Sequence, residues 1–203
     1  MDKIKTPIKI LVVVDMQNDF ITGDLGTPKA QSIVPKVVDY VKKCSEEGYK
    51  IFFTMDTHTK ESYNERLEGK AVPPHCFAHT DGWQIIPELQ SWYKPREACD
   101  PGNAVHKYGF GCTSWYEIFN SYFDELAETD VGVYGLDSKD LQIELVGVCT
   151  DICVLANAII LRANYRDAEI IVHADMCAGT SIERHENALT AMQGQLITID
   201  RGE

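Results

Sequence analysis

The sequence predicts an α/β protein, a three-layer α/β/α fold with a mainly parallel central sheet, built as a single domain over residues 1–203. Three observations predict it. Short β-branched runs alternate with amphipathic stretches of helical period, which is the pattern of successive strand and crossover helix. The runs are apolar throughout rather than every second residue, as strands buried on both faces are. Finally, 203 residues with 44% hydrophobic and 25% charged residues suffice for one sizeable core and fall short of two.

The first strand is Ile8–Val14, with Asp15 at its C-terminal end. After a loop containing Gly and Pro, Ile33, Val34, Val37, Val38 and Val41 recur at helical spacing, with Pro35 in the first turn and Gly48 at the stop. Residues 49–55 read as the second strand and lead into Asp56; a short extended segment then ends near Lys107. Residues 113–126 form a helix carrying Trp115, Ile118, Phe119, Tyr122 and Phe123 on one side. Strands at 141–148, 169–173 and 196–200 alternate with helices at 151–165 and 182–192, while 60–70 and 94–100 are polar and irregular.

A formal net charge of −12 repels phosphate backbones and anionic lipid, which leaves a small molecule as the expected ligand, with no nucleic acid and no membrane partner. No stretch reaches the roughly 18–20 apolar residues of a membrane span, and residues 1–7 lack a signal core, so the expected location is the cytoplasm. Seven cysteines, an odd number, read as reduced thiols. Cys149 and Cys153 are separated by three residues, not the two of a redox or zinc pair.

In a parallel α/β sheet the ligand site lies beyond the C-terminal strand ends. Asp15, Asp56, Lys107 and Cys153 should therefore meet on one rim. Cys153 falls in the first turn of its helix, where free backbone N–H groups and the positive dipole end favour a thiolate. Asp15 is placed to take the thiol proton and return it to a leaving amine, with Lys107 steadying that carboxylate. Each residue alone has a plainer reading: a solvated acid, a surface lysine, a core thiol. Asp56 and His58, one residue apart in extended chain, point the same way, and His75 can close around a divalent ion with them. Such a set suits zinc, iron or manganese. His79, His106, His173 and His185 have no comparable partners and read as surface or satisfied residues; Met55, Met176 and Met192 read as packing, and Cys76 as structural.

Three separated motifs carry a family resemblance: residues 14–20 around Asp15, Lys107 with Tyr108, Gly109 and Phe110, and residues 147–154 around Cys153. In this order they resemble the isochorismatase-like cysteine hydrolases across nearly the whole chain. The resemblance implies a parallel sheet flanked by helices and an Asp15, Lys107, Cys153 triad. It also implies a cis Val148–Cys149 peptide and an oxyanion hole from the backbone N–H groups of Cys149 and Cys153.

Asp56 and His58, with Pro73, Pro74, His75 and Cys76, are similar to the nicotinamidase branch. That likeness implies a metal-dependent amidohydrolase that converts nicotinamide, or a close aromatic amide, to the acid and ammonia through a Cys thioester. It implies a divalent ion, zinc first with iron or manganese as options, no organic cofactor, and assembly as a homo-oligomer. A further ligand is expected between the histidine motifs, Glu68 first and Asn64 second. Phe20 and Phe110 are expected in the pocket, with Val72 where the branch commonly has an aromatic ring; Trp83 and Trp115 are other sources of one. Three other readings stand beside this one: a metal-free family hydrolase acting on a carbamoyl or vinyl ether substrate, a non-catalytic metal or small-molecule binding protein, and a redox protein using Cys149 and Cys153.

Overall fold

The computed structural model describes residues 7–95, 97, 102–126 and 138–202, and side chains in the third helix only as far as Tyr122. Cys99 and much of the irregular stretch at 94–100 lie outside the described residues. The described strands are β1 (Ile8–Val14), β2 (Lys50–Asp56), β3 (Ala104–Lys107), β4 (Leu141–Val148), β5 (Glu169–Ala178) and β6 (Thr198–Asp200). They form one sheet in the order β3-β2-β1-β4-β5-β6, and every strand pairing in it is parallel. The helices are α1 (Asn18–Ile21), α2 (Pro28–Glu46), α3 (Trp115–Leu126), α4 (Leu155–Asn164) and α5 (Ile182–Gln193).

Two cores lie on the two faces of the sheet. Ile10, Val12 and Val14 pack toward α3, α4 and α5, whereas Leu11 and Val13 pack toward α2. All five are fully buried, as the unbroken apolar run requires. The register sets Val14 opposite both Thr54 and Gly147, and Asp56 opposite Lys107, so the chain ends that carry chemistry finish level on one rim. Gly147 is needed there. At φ 117 it lies outside the ordinary L-residue regions, and a Cβ would come within 2.1 Å of the Val14 carbonyl oxygen.

Several boundaries differ from the sequence reading. Helix α2 starts at Pro28, with the Thr27 side chain accepting the Ala30 N–H, so Pro35 lies mid-helix and not in the first turn. The polar first turns carry no apolar stripe, and only the stripe marked the helix. A π-turn, Thr150–Val154, stands between β4 and α4 and contains Cys153. Strand β5 runs five residues further than expected, to Ala178. Strand β6 is confined to Thr198–Asp200, because Leu196 turns left-handed at φ 59.

Candidate active site and metal centre

Strand β1 ends where Asp15 adopts φ 48 and the chain leaves the sheet. Its carboxylate stays at the rim: Oδ1 accepts the Thr54 hydroxyl at 2.6 Å, and Oδ2 lies 2.8 Å from Lys107 Nζ. The same ammonium is 3.1 Å from Asp56 Oδ1 and donates to Cys153 Sγ at 3.5 Å. Asp15 Oδ2 and Asp56 Oδ1 are fully buried and accept no well-aligned hydrogen bond, so the charge of Lys107 is what compensates both. One buried cation thus joins two carboxylates to one thiol.

Burial lifts Asp15 above the usual carboxylate range, Lys107 pulls it back, and Asp56 adds to the rise. Burial opposes the charge of Lys107, but Asp15, Cys153 and Asp56 outweigh it and hold the ammonium well above the ordinary lysine value. Burial likewise drives Cys153 well above a normal thiol, with Lys107 lowering it and Asp15 and Asp56 raising it further. Burial thus opposes the thiolate that the helix placement was expected to favour. The dipole end is present, but the desolvated sulfur has two carboxylates and one ammonium near it.

Cys153 sits in the π-turn, whose Val154 N–H reaches back to the Cys149 carbonyl at 3.1 Å. The Val148–Cys149 peptide is cis, as the family resemblance implies. Asn157, fully buried, braces this turn. Its Nδ2 donates to the Cys153 carbonyl at 2.8 Å, and its Oδ1 accepts the Cys112 N–H and the Trp115 indole N–H at 3.0 and 2.9 Å. No sequence motif marked Asn157. Cys149 and Cys153 are both free thiols.

Asp56 also faces the other way. Its Oδ2 is 3.1 Å from Nε2 of His58 and 3.1 Å from Nε2 of His75. Glu68 Oε1 stands 3.6 and 3.9 Å from the same two nitrogens. One donor atom from each of Asp56, His58, Glu68 and His75 lies within 4.8 Å of the others. Glu68, the first choice for the further ligand, is the fourth residue of the set. Burial works against Asp56, but bonds from both imidazoles and the charge of Lys107 hold its carboxyl far below the usual range.

The donor set fits a divalent ion: two imidazoles and two carboxylates whose donor atoms converge. His75 is oriented for it, since Nδ1 donates to the Pro73 carbonyl at 2.8 Å, which turns Nε2 inward to Asp56. The outer partner of His58 is different. Its Nδ1 is 3.2 Å from Arg66 Nη1, which can only donate, so in this arrangement Nε2 carries the proton toward Asp56. Arg66 also donates to the Tyr108 carbonyl and lies 3.8 Å from Glu68.

Between the thiol and the metal-type cluster lies a cavity of about 300 Å³, lined by Cys149, Cys153, Asp56, Glu68 and His75. Phe20, Val72 and Phe110 line it too, as expected. Trp83 and Trp115 do not: Trp83 stacks on His106 at 5.4 Å, and Trp115 is buried against Asn157. A larger hollow of about 740 Å³ runs along β3 and α3; it reaches Lys107 and Cys112 but not Cys153, so the smaller cavity is the one that serves the thiol. Of the remaining histidines, His173 bonds Glu144 and Asp200 at 2.6 and 3.0 Å, His185 contacts Thr150 at 2.8 Å, and His106 lies 3.4 Å from the Thr57 hydroxyl.

Comparison with known proteins places the chain in a family and agrees with its fold. The family model for the isochorismatase domain matches residues 9–201. A protein of Saccharomyces cerevisiae named nicotinamidase is 27% identical, over 75% of this chain and 80% of its own. The crystal structure of pyrazinamidase/nicotinamidase from Streptococcus mutans superposes with a TM-score of 0.72 at 29% identity, covering 94% of this chain and 99% of that one. The pyrazinamidase of Pyrococcus horikoshii in complex with zinc shares the fold, with a TM-score of 0.70 at 24% identity, over 97% of this chain and 100% of that one.

Proposed function

The chain belongs to the isochorismatase family, and on that premise we propose that it is a metal-dependent amidohydrolase that converts nicotinamide, or a close aromatic amide, to the carboxylic acid and ammonia. The observation that carries the reading is the position of Asp56, whose two oxygens contact Lys107 on the thiol side and His58 and His75 on the other. A family hydrolase without a metal has no use for the second set. The relatives named nicotinamidase support the same substrate class.

In this reading Asp15 accepts the Cys153 proton as the sulfur attacks the amide carbon. Burial raises its affinity for a proton, which suits that task. The carbonyl oxygen becomes an oxyanion facing the N–H groups of Cys149 and Cys153. Asp15 returns the proton to the departing nitrogen, ammonia leaves, and the acyl group remains on sulfur as a thioester. Water then attacks the thioester, giving the acid and restoring the thiol. Lys107 stays charged throughout and holds Asp15 and Asp56 in place. Asp56, His58, Glu68 and His75 would hold the ion, which when bound supplies a Lewis acid for substrate or for a water of lowered pKa. Phe20, Val72 and Phe110 would pack on the acyl ring.

Ammonia release from nicotinamide, pyrazinamide and linear carbamoyl compounds, with zinc-loaded and chelator-treated protein, tests the reading. Turnover of the aromatic amides that chelation abolishes and zinc restores is the expected result. Turnover of carbamoyl compounds alone, unaffected by chelation, contradicts it.

A further inference from the structure

We infer that Gln17 is a positioning residue, which fixes the backbone of Asp56 so that one carboxylate serves Lys107 and the two imidazoles together. The inference rests on the metal reading above and adds a residue that touches neither substrate nor ion. Strand β1 ends at Val14, and after Asp15 turns left-handed the main chain no longer runs beside β2. Strand β2 continues to Asp56. Thr57 N–H bonds the Lys107 carbonyl on the β3 side at 2.9 Å, so by the alternation of a strand the N–H and C=O of Asp56 face the side that β1 has vacated.

The Gln17 side chain fills that gap. Its Oε1 accepts the Asp56 N–H at 2.8 Å, and its Nε2 donates to the Asp56 carbonyl at 3.0 Å and the Trp83 carbonyl at 2.8 Å. The amide is fully buried, and both of its polar atoms are engaged. A primary amide matches the donor and acceptor of one residue, which neither a carboxylate nor an aliphatic chain of that length can do.

The same turn braces the other wall of the cluster. Asp19 Oδ2 accepts the N–H of Cys76, next to His75, at 2.7 Å, and the Phe20 ring meets the His75 ring edge-on at 5.3 Å. Residues 15–20 therefore carry the proposed base and hold two metal donors in register with it. Functional groups must be held to within roughly 0.5 Å to work together. Asp56, with contacts of 3.1 Å on both sides, has little room to move.

Zinc affinity, measured by competition with a chromophoric chelator at a temperature well below unfolding, tests this in Gln17→Met against the unsubstituted chain. The expected result is a zinc dissociation constant raised by about 10- to 100-fold, with kcat at saturating zinc lowered and KM little changed. A folded Gln17→Met protein with unaltered zinc affinity overturns the inference, because a purely structural glutamine would lower the melting temperature alone. Should Gln17→Met fail to fold, Gln17→Glu keeps the shape and the bond to Asp56 N–H while losing both Nε2 donations, and the same two outcomes apply to it. An unsubstituted chain that takes up no zinc overturns the metal reading itself, and this inference with it.

Discussion

Lys107 Nζ and Cys153 Sγ lie 3.5 Å apart, both buried, with Asp15 and Asp56 on the other sides of the ammonium. Lys107 is the group that lowers the thiol pKa against burial and two carboxylates. Lys107→Met removes that influence, so the thiol pKa rises further, and alkylation of Cys153 by iodoacetamide at neutral pH becomes slower. It also leaves two buried carboxylates without a cation, a loss of about 3–5 kcal/mol in urea unfolding. An unchanged alkylation rate in a folded variant contradicts the role given to Lys107.

The metal cluster predicts one divalent ion per chain, measurable by elemental analysis after dialysis. His75→Ala removes a nitrogen donor and weakens zinc binding on the order of 100-fold, at or beyond the upper end of what outer-shell changes cause. Zinc affinity equal to that of the unsubstituted chain would mean that the four donors meet for structural reasons.

Arg66 gives a prediction of the opposite sign. Its guanidinium faces His58 Nδ1 at 3.2 Å and places a positive charge beside the proposed ion. Arg66→Gln relieves about 1 kcal/mol of repulsion, so zinc affinity rises several-fold in the same chelator competition. Weaker binding in this variant would show that the Arg66 contact to Tyr108 matters more to the site than its charge.

Away from the site, Glu144 is surrounded by the hydroxyls of Tyr40 and Tyr49 and by His173. Burial raises its pKa, but bonds from His173, Tyr40 and Tyr49 bring it down to about 2 from 4.5. A folded pKa below the unfolded one adds stability above about pH 4.5, and that stability is lost as pH falls toward 2. Both ring nitrogens of His173 lie within hydrogen-bond distance of carboxylate oxygens, Nε2 of Glu144 and Nδ1 of Asp200. His173→Gln removes the main lowering influence on Glu144, and the acid unfolding midpoint moves to higher pH by circular dichroism. A midpoint that stays put contradicts the assignment.

Local pattern carried most of the fold into the sequence. The run from Ile10 to Val14 is buried on both faces because no polar residue interrupts it, and Asp15, Lys107 and Cys153 meet because parallel strands end on one rim. The motif at residues 73–76 marked His75 in the same way. What stayed hidden depends on contacts between residues far apart in the chain. Asp56 shares Lys107 only because β2 and β3 pair in one register, and Gln17 reaches Asp56 only because Asp15 turns left-handed. The surroundings of Cys153 stayed hidden for a related reason: a helix end is visible in sequence, whereas complete desolvation beside two carboxylates is not. The start of α2 was missed because its first turns are polar.

The central claim is that Cys153 carries the acyl group. Protein mixed with nicotinamide, quenched in acid within the first turnovers and weighed intact is the most direct test. The account predicts a mass increase equal to the nicotinoyl group, mapping to the peptide that contains Cys153 and absent from Cys153→Ala, which also releases no ammonia. Ammonia release that survives in Cys153→Ala, or an adduct on another residue, would contradict it.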